Sequence, residues 1–200
     1  MPRIAEPIAS EGRATPHPVR WTRQKCRAMV DQGILTERFE LIDGEIISKM
    51  GQKRAHAIVI IRLTAWLVAL FGPEFVQFQL PVLLTGPDAD TSEPEPDAVV
   101  LSRPATDFLD ESPNSSAVLL VIEVADTTLR FDRTTKAGIY ARAGIAEYWV
   151  VDIEGRQVFA HRGPAKGAYA DVVAYAESDE IAPVARPSSP IRVSEILPPS

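Results

Sequence analysis

Asp97 stands immediately ahead of the apolar run Ala98-Val99-Val100-Leu101, and Glu123 interrupts a second run, Val118-Leu119-Leu120-Val121-Ile122-Glu123-Val124. A carboxylate inside such a run is costly unless a cation meets it. If the two runs are neighbouring strands, both side chains can reach one edge of a sheet and share a divalent ion. A few oxygen ligands with open water positions is how Mg²⁺ is held when it must also meet phosphate. Such an ion acidifies a bound water and neutralises phosphoryl charge. Lys136 is a third candidate. On the helix expected after Glu123, Asp132, Lys136 and Tyr140 recur every four residues and so line one face. An ammonium there could position or deprotonate a water and steady a developing oxyanion. Plainer roles stay open: Asp97 capping a loop, Glu123 paired with an arginine such as Arg130, and Lys136 paired with Asp132 on a solvated face.

The elements that must position these groups follow from periodicity and turn chemistry. Residues 1–18, with Pro2, Pro7, Pro16 and Pro18, have no periodicity and read as a loose leader to one domain over 19–200. Thr22 can N-cap a short helix ending near Gly33. "RFELIDGEIISKM" is two alternating runs around Asp43-Gly44, a hairpin signal that puts Glu40 on its first strand. "KRAHAIVIIRLTAWLVAL", from about Lys53 to Leu70, has helical composition, is stopped by Gly72-Pro73, and is apolar enough to lie packed across a sheet. "EFVQFQLPVLL" reads as a strand and "TGPDADTSEPEP" as an irregular, solvated acidic loop. "DAVVL", "AVLLVIEVA" and "EYWVVD" read as central strands, with a helix over residues 129–142 before the last. "RQVFAHR", "AYADVVAYA" and "IRVSEIL" read as strands extending the sheet, the first turn falling at Glu154-Gly155. Tyr148 and Trp149 read as core residues with partnered polar tips. His17 and His161 carry no assignment. The whole predicts a mixed α/β sheet flanked by helices with added β-hairpins.

Composition narrows the class. The chain has 200 residues, a net charge of −6 and one cysteine, Cys26, which rules out an intramolecular disulfide and reads as a small buried apolar residue. The acidic balance argues against bulk attraction to nucleic acid. Basic residues nevertheless gather early, among them Lys49, Lys53 and Arg54, which could contact phosphate groups. The most apolar stretch, Ala55 to Phe71, is interrupted by Arg62 and is not read as a membrane span, so a cytoplasmic location is expected.

"FELIDGEI", "PDAVVL" and "VIEVADTTLRFDRTTKAGIYARAGIAEYWVVD" together resemble the bacterial putative restriction endonuclease family of the PD-(D/E)XK nuclease superfamily. The likeness runs from about Thr22 to the C-terminus. It implies a restriction-endonuclease-like core of helix, three strands, helix and strand, with Asp97 as the motif aspartate and Glu123 as the motif acid. Ala125 stands where the superfamily lysine would be; Lys136 fits the position to which this branch moves it. Glu40 matches a further family acid, and His56 falls where the family often has a histidine. With Asp132 and His56 accessory, the implied activity is that of a Mg²⁺- or Mn²⁺-dependent endonuclease acting on DNA, with a homodimer expected. The rival expectations are a catalytically inactive binding or assembly module on the same fold, and a phosphodiesterase acting on RNA or nucleotides.

Overall fold

Asp43 and Gly44 take φ of 49° and 78°, and Lys166 and Gly167 take 51° and 79°. Two successive left-handed residues form the turn that matches the twist of antiparallel strands, so both sites close tight hairpins. The first joins β1 (Phe39–Ile42) to β2 (Glu45–Ser48) as a separate two-stranded sheet. The second joins β7 (Gln157–Ala165) to β8 (Ala168–Ala176) at one edge of the main sheet. The computed structural model describes residues 18–49 and 51–199; His17 and nearly all of the expected leader lie outside them.

The main sheet has six strands in the order β3-β4-β5-β6-β7-β8, adding β3 (Val76–Gln77), β4 (Ala98–Leu101), β5 (Val118–Ala125) and β6 (Glu147–Asp152). Of the neighbours in this sheet, β5 and β6 pair in parallel and the other described pairs are antiparallel. A parallel pair needs a crossover, and the helical run over 129–142 supplies it. This run is α3 (Leu129–Phe131), a five-residue π-turn (Asp132–Lys136) and α4 (Ala137–Arg142). Side chains on the two faces of the sheet build two cores. One face packs Val100, Ile122, Trp149 and Val151 under α2 (Arg54–Phe71); the other packs Val99, Val121, Tyr148 and Val150 under Ile139 and Tyr140 of α4. α1 (Arg23–Asp31) begins at Thr22, whose hydroxyl accepts from Lys25 N at 3.3 Å, and buries Cys26.

Three expectations need correction. The run "EFVQFQLPVLL" is strand only at Val76–Gln77, because Gln79 takes a left-handed φ of 52° and Pro81 has no N–H to give a ladder. "IRVSEIL" does not extend the main sheet. Ile191–Arg192 (β10) pairs with Glu180–Ile181 (β9), and Val193–Ile196 turns into α5, since Val193, Ile196 and Leu197 form a buried stripe of helical spacing. Finally, α2 is by length and composition long and apolar enough to cross a bilayer, and Arg62 within it does not change that. In this fold Arg62 donates to the carbonyls of Ser194, Glu195 and Leu197, and Val59, Leu63 and Leu67 are buried in the α2-side core.

The buried stripe is therefore one-sided. Ile61 on the same helix is 68% exposed, whereas Leu63 is wholly buried. Chemical denaturation should show Leu63→Ala costing about 2–5 kcal/mol and Ile61→Ala staying within about 0.5 kcal/mol of the parent.

Candidate active site

The antiparallel register of β4 and β5 pairs Ala98 with Ile122, so one further step sets Asp97 opposite Glu123 at the end of the strand pair. Both carboxylates line a cavity of about 530 Å³. Its walls come from the β1–β2 hairpin, the start of α2, Gln79, the segment Asp126–Thr128 and the π-turn. Glu40, Asp97, Glu123, Asp132 and Lys136 are all buried yet border it. The residues expected to carry chemistry thus come together, although they are scattered along the chain.

Lys136 is the point on which they converge. Its Nζ lies 2.8 Å from Glu123 Oε1 and 2.9 Å from Glu40 Oε2. The plainer alternatives for these residues fail: Glu123 is met by Lys136 rather than Arg130, and Lys136 faces the cavity rather than solvent. The hairpin is held in place by backbone bonds between Leu41 and Glu93, and Glu40 Oε1 also accepts from Glu95 N at 2.7 Å. Glu123 Oε1 takes a second donor, the Tyr140 hydroxyl, at 2.9 Å. Asp97 is held differently. Its Oδ2 accepts from Val124 N at 2.8 Å and lies 3.2 Å from His56 Nε2, while Gln79 Nε2 stands 3.3 Å from Oδ1. Asp132 accepts from the Thr128 hydroxyl, and its carbonyl accepts from the Tyr148 hydroxyl at 3.1 Å.

The charges explain the ionisation states. Burial alone would lower the Lys136 pKa, but Glu123, Glu40 and Asp132 outweigh it and hold the ammonium far above its ordinary range. Lys136 is therefore held in its charged form. Burial pushes Glu123 up to about 8, against the pull of Lys136 and with help from Glu40, Asp97 and Asp132. Asp132 is also raised, again chiefly by burial. Asp97 goes the other way: burial pushes it up, but hydrogen bonding and charge from His56, with the Val124 N–H and Gln79, hold it below the usual carboxylate range.

The early basic residues behave less simply than expected. Lys49 donates to the Glu95 carbonyl at 2.9 Å and lies 3.4 Å from the Glu95 carboxylate and 3.7 Å from Glu40. Lys53 pairs with Asp126 at 2.8 Å. Arg54, at the start of α2, is exposed. The acidic loop is likewise not simply solvated: Asp88 is buried against Arg142, Glu93 meets Arg27, and Glu95 meets Arg38. Tyr148 and Trp149 are core residues with partnered tips, Trp149 Nε1 donating to Glu147 at 2.9 Å. His161 is buried beside Tyr148 and Tyr169, away from the cavity lining.

Gln79 escaped the sequence reading because nothing in "FQLP" marks a residue that turns back onto Asp97. Thr128 had a weak signal, standing where a helix N-cap would. Its hydroxyl serves the Asp132 side chain and makes no cap bond.

Among the described residues, no three His, Cys, Asp or Glu side chains form a ready-made metal cage. A divalent ion that keeps waters and a phosphate needs only one or two carboxylates. Asp97 and Glu123 suit that requirement: each has one oxygen tied to strong donors, Oδ2 and Oε1, and a second, Oδ1 or Oε2, less committed among the described residues. Burial is the main reason the Glu123 pKa is raised, and the charges of Glu40, Asp97 and Asp132 add to it against the pull of Lys136.

A family model described as "Putative restriction endonuclease" (Uma2) matches residues 34–188. No curated protein matches the chain. In fold, the chain is similar to the crystal structure of a putative nuclease belonging to DUF820 from Anabaena variabilis, with a TM-score of 0.60 at 14% identity, covering 90% of this chain and 97% of that one.

The site geometry fixes what removing Lys136 does. A methionine there has a comparable apolar stem and helix propensity, but it leaves Glu40 and Glu123 buried without the cation closest to both. The Lys136→Met variant should lose about 3–5 kcal/mol at pH 8. Without the ammonium that pulls it down, the Glu123 carboxyl favours protonation in the folded state still more, so the loss should shrink as pH falls toward 5. Urea unfolding at the two pH values measures both effects.

Proposed function

The chain belongs to the Uma2 family, described as putative restriction endonucleases, and we propose that it is a metal-dependent nuclease hydrolysing phosphodiester bonds of DNA. The observation that carries this reading is the convergence of Asp97, Glu123, Glu40 and Lys136 on one cavity. Asp97 and Glu123 would hold Mg²⁺ or Mn²⁺. When bound, the ion supplies an acidified water and offsets charge on the phosphoryl oxygens.

The chain's own residues do the rest. Lys136, kept protonated by its two carboxylates, cannot take a proton from water. It acts as a fixed positive charge that orients Glu123 and steadies negative charge developing on the phosphate. Glu40 holds Lys136 in place. His56, bonded to Asp97 Oδ2, fixes the orientation of that carboxylate, which would leave Oδ1, met only by Gln79 among the described residues, to ligate an ion. Asp132 borders the cavity with a raised pKa, and can accept a proton released there. Hydrolysis then joins the water oxygen to phosphorus, breaks one phosphorus–oxygen bond and returns a proton to the departing oxygen.

Lys49, Lys53 and Arg54 rim this cavity or adjoin it, and are the proposed contacts to the DNA backbone. For Lys49 and Lys53, phosphates would replace Glu95 and Asp126 as partners, so affinity should be modest and fall steeply with salt.

Calorimetric titration with Mn²⁺ and cleavage of plasmid DNA test the reading. Asp97→Ala should abolish both the binding heat and cleavage while the protein stays folded. In the parent, Glu123 must shed the proton it holds below about pH 8 before it can ligate. The Mn²⁺ association constant should therefore climb by up to about tenfold per pH unit from pH 6 toward 8, then level off. A parent that binds no Mn²⁺ and cuts no DNA contradicts the proposal.

A further inference from the structure

Tyr140 is fully buried, yet its hydroxyl is bonded to Glu123 Oε1 at 2.9 Å, the same oxygen that receives Lys136 at 2.8 Å. Tyr140 does not border the cavity. Its ring packs against Tyr148 with centroids 4.9 Å apart, in the core on the α4 side of the sheet. Two donors from one helical run, four positions apart, are thus spent on one oxygen of one carboxylate. Lys136 is the last residue of the π-turn Asp132–Lys136, a feature that tends to occur at functional sites, and Tyr140 follows one turn later in α4.

A buried carboxylate with only Lys136 on it could rotate about its last torsion and offer either oxygen to the cavity, since that torsion is broad. With Oε1 held by two donors approaching from the helix, rotation would break both bonds at once. We infer that Tyr140 is a positioning residue: through its hydroxyl it locks the Glu123 carboxylate so that Oε2 is the oxygen presented to a divalent cation. This rests on the reading of Glu123 as a metal ligand. Partners that orient a ligand in this way typically change metal affinity by about 10–100-fold when removed.

Tyr140→Phe removes one oxygen and keeps the ring. Tyr148→Phe is its control, deleting a buried hydroxyl of the same cluster whose acceptor is the Asp132 carbonyl rather than Glu123. Mn²⁺ binding is measured by calorimetry on both variants and the parent, with circular dichroism and thermal midpoints of the metal-free proteins recorded alongside. The inference predicts that Tyr140→Phe weakens Mn²⁺ about tenfold or more, while Tyr148→Phe changes the dissociation constant by less than about twofold. Affinity unchanged in Tyr140→Phe overturns the inference while leaving the metal reading intact. Equal weakening in both variants also overturns it, because loosened packing then accounts for the loss. A parent with no Mn²⁺ binding heat removes the metal reading itself.

Discussion

The ammonium of Lys136, buried between Glu40 and Glu123, is the contact around which the rest of the site is arranged. Taking charged groups out of water costs several kcal/mol each, and the arrangement survives only with close geometry and further donors on the oxygens. Those donors are present: Glu95 N on Glu40, and Tyr140 on Glu123. Glu40, Glu123 and Lys136 come from three different elements, so two ion pairs sharing one ammonium tie the β1–β2 hairpin, β5 and the helical run over 129–142 together. Replacing these charges with apolar groups would remove the desolvation cost. That the chain carries them in its interior is understandable if the cavity they border has work to do.

Asp97 and Glu123 show how one sheet can give two adjacent carboxylates different characters. Asp97 lies at the open end of β4, where a backbone N–H and His56 favour the charged form. Glu123 lies inside β5 under α4, where burial and neighbouring acids favour the neutral form. A divalent cation between them would be held by a ready anion on one side and would draw a proton from the other. The chemistry of the cavity is therefore coupled to pH from the outset.

Much of this was legible in the sequence, for identifiable reasons. The Asp43-Gly44 turn, the arrest of α2 at Gly72 and the helical run closed by Gly144 depend on local backbone preference, which a short window reveals. Asp97 and Glu123 could be singled out because charge inside or at the mouth of an apolar run demands an explanation. Lys136 could be reached by helical spacing, though not the π-turn that contains it. What stayed hidden depends on partners far along the chain. The pairing of Lys49 with Glu95, of Lys53 with Asp126 and of Asp88 with Arg142 has no local signature. Gln79 meets Asp97 only because its backbone turns left-handed, and "IRVSEIL" changes from strand to helix within a few residues, where neither period dominates.

The central claim is that Asp97 and Glu123 share one divalent ion while Lys136 stays protonated between Glu40 and Glu123. A crystal structure of the protein soaked in Mn²⁺, with diffraction recorded at the manganese absorption edge, tests it most directly. The account predicts an anomalous peak within ligating distance of Asp97 Oδ1 and Glu123 Oε2, with the Lys136–Glu123 and Lys136–Glu40 contacts preserved. An anomalous map with no peak in this cavity, or a peak held by other side chains, would contradict it.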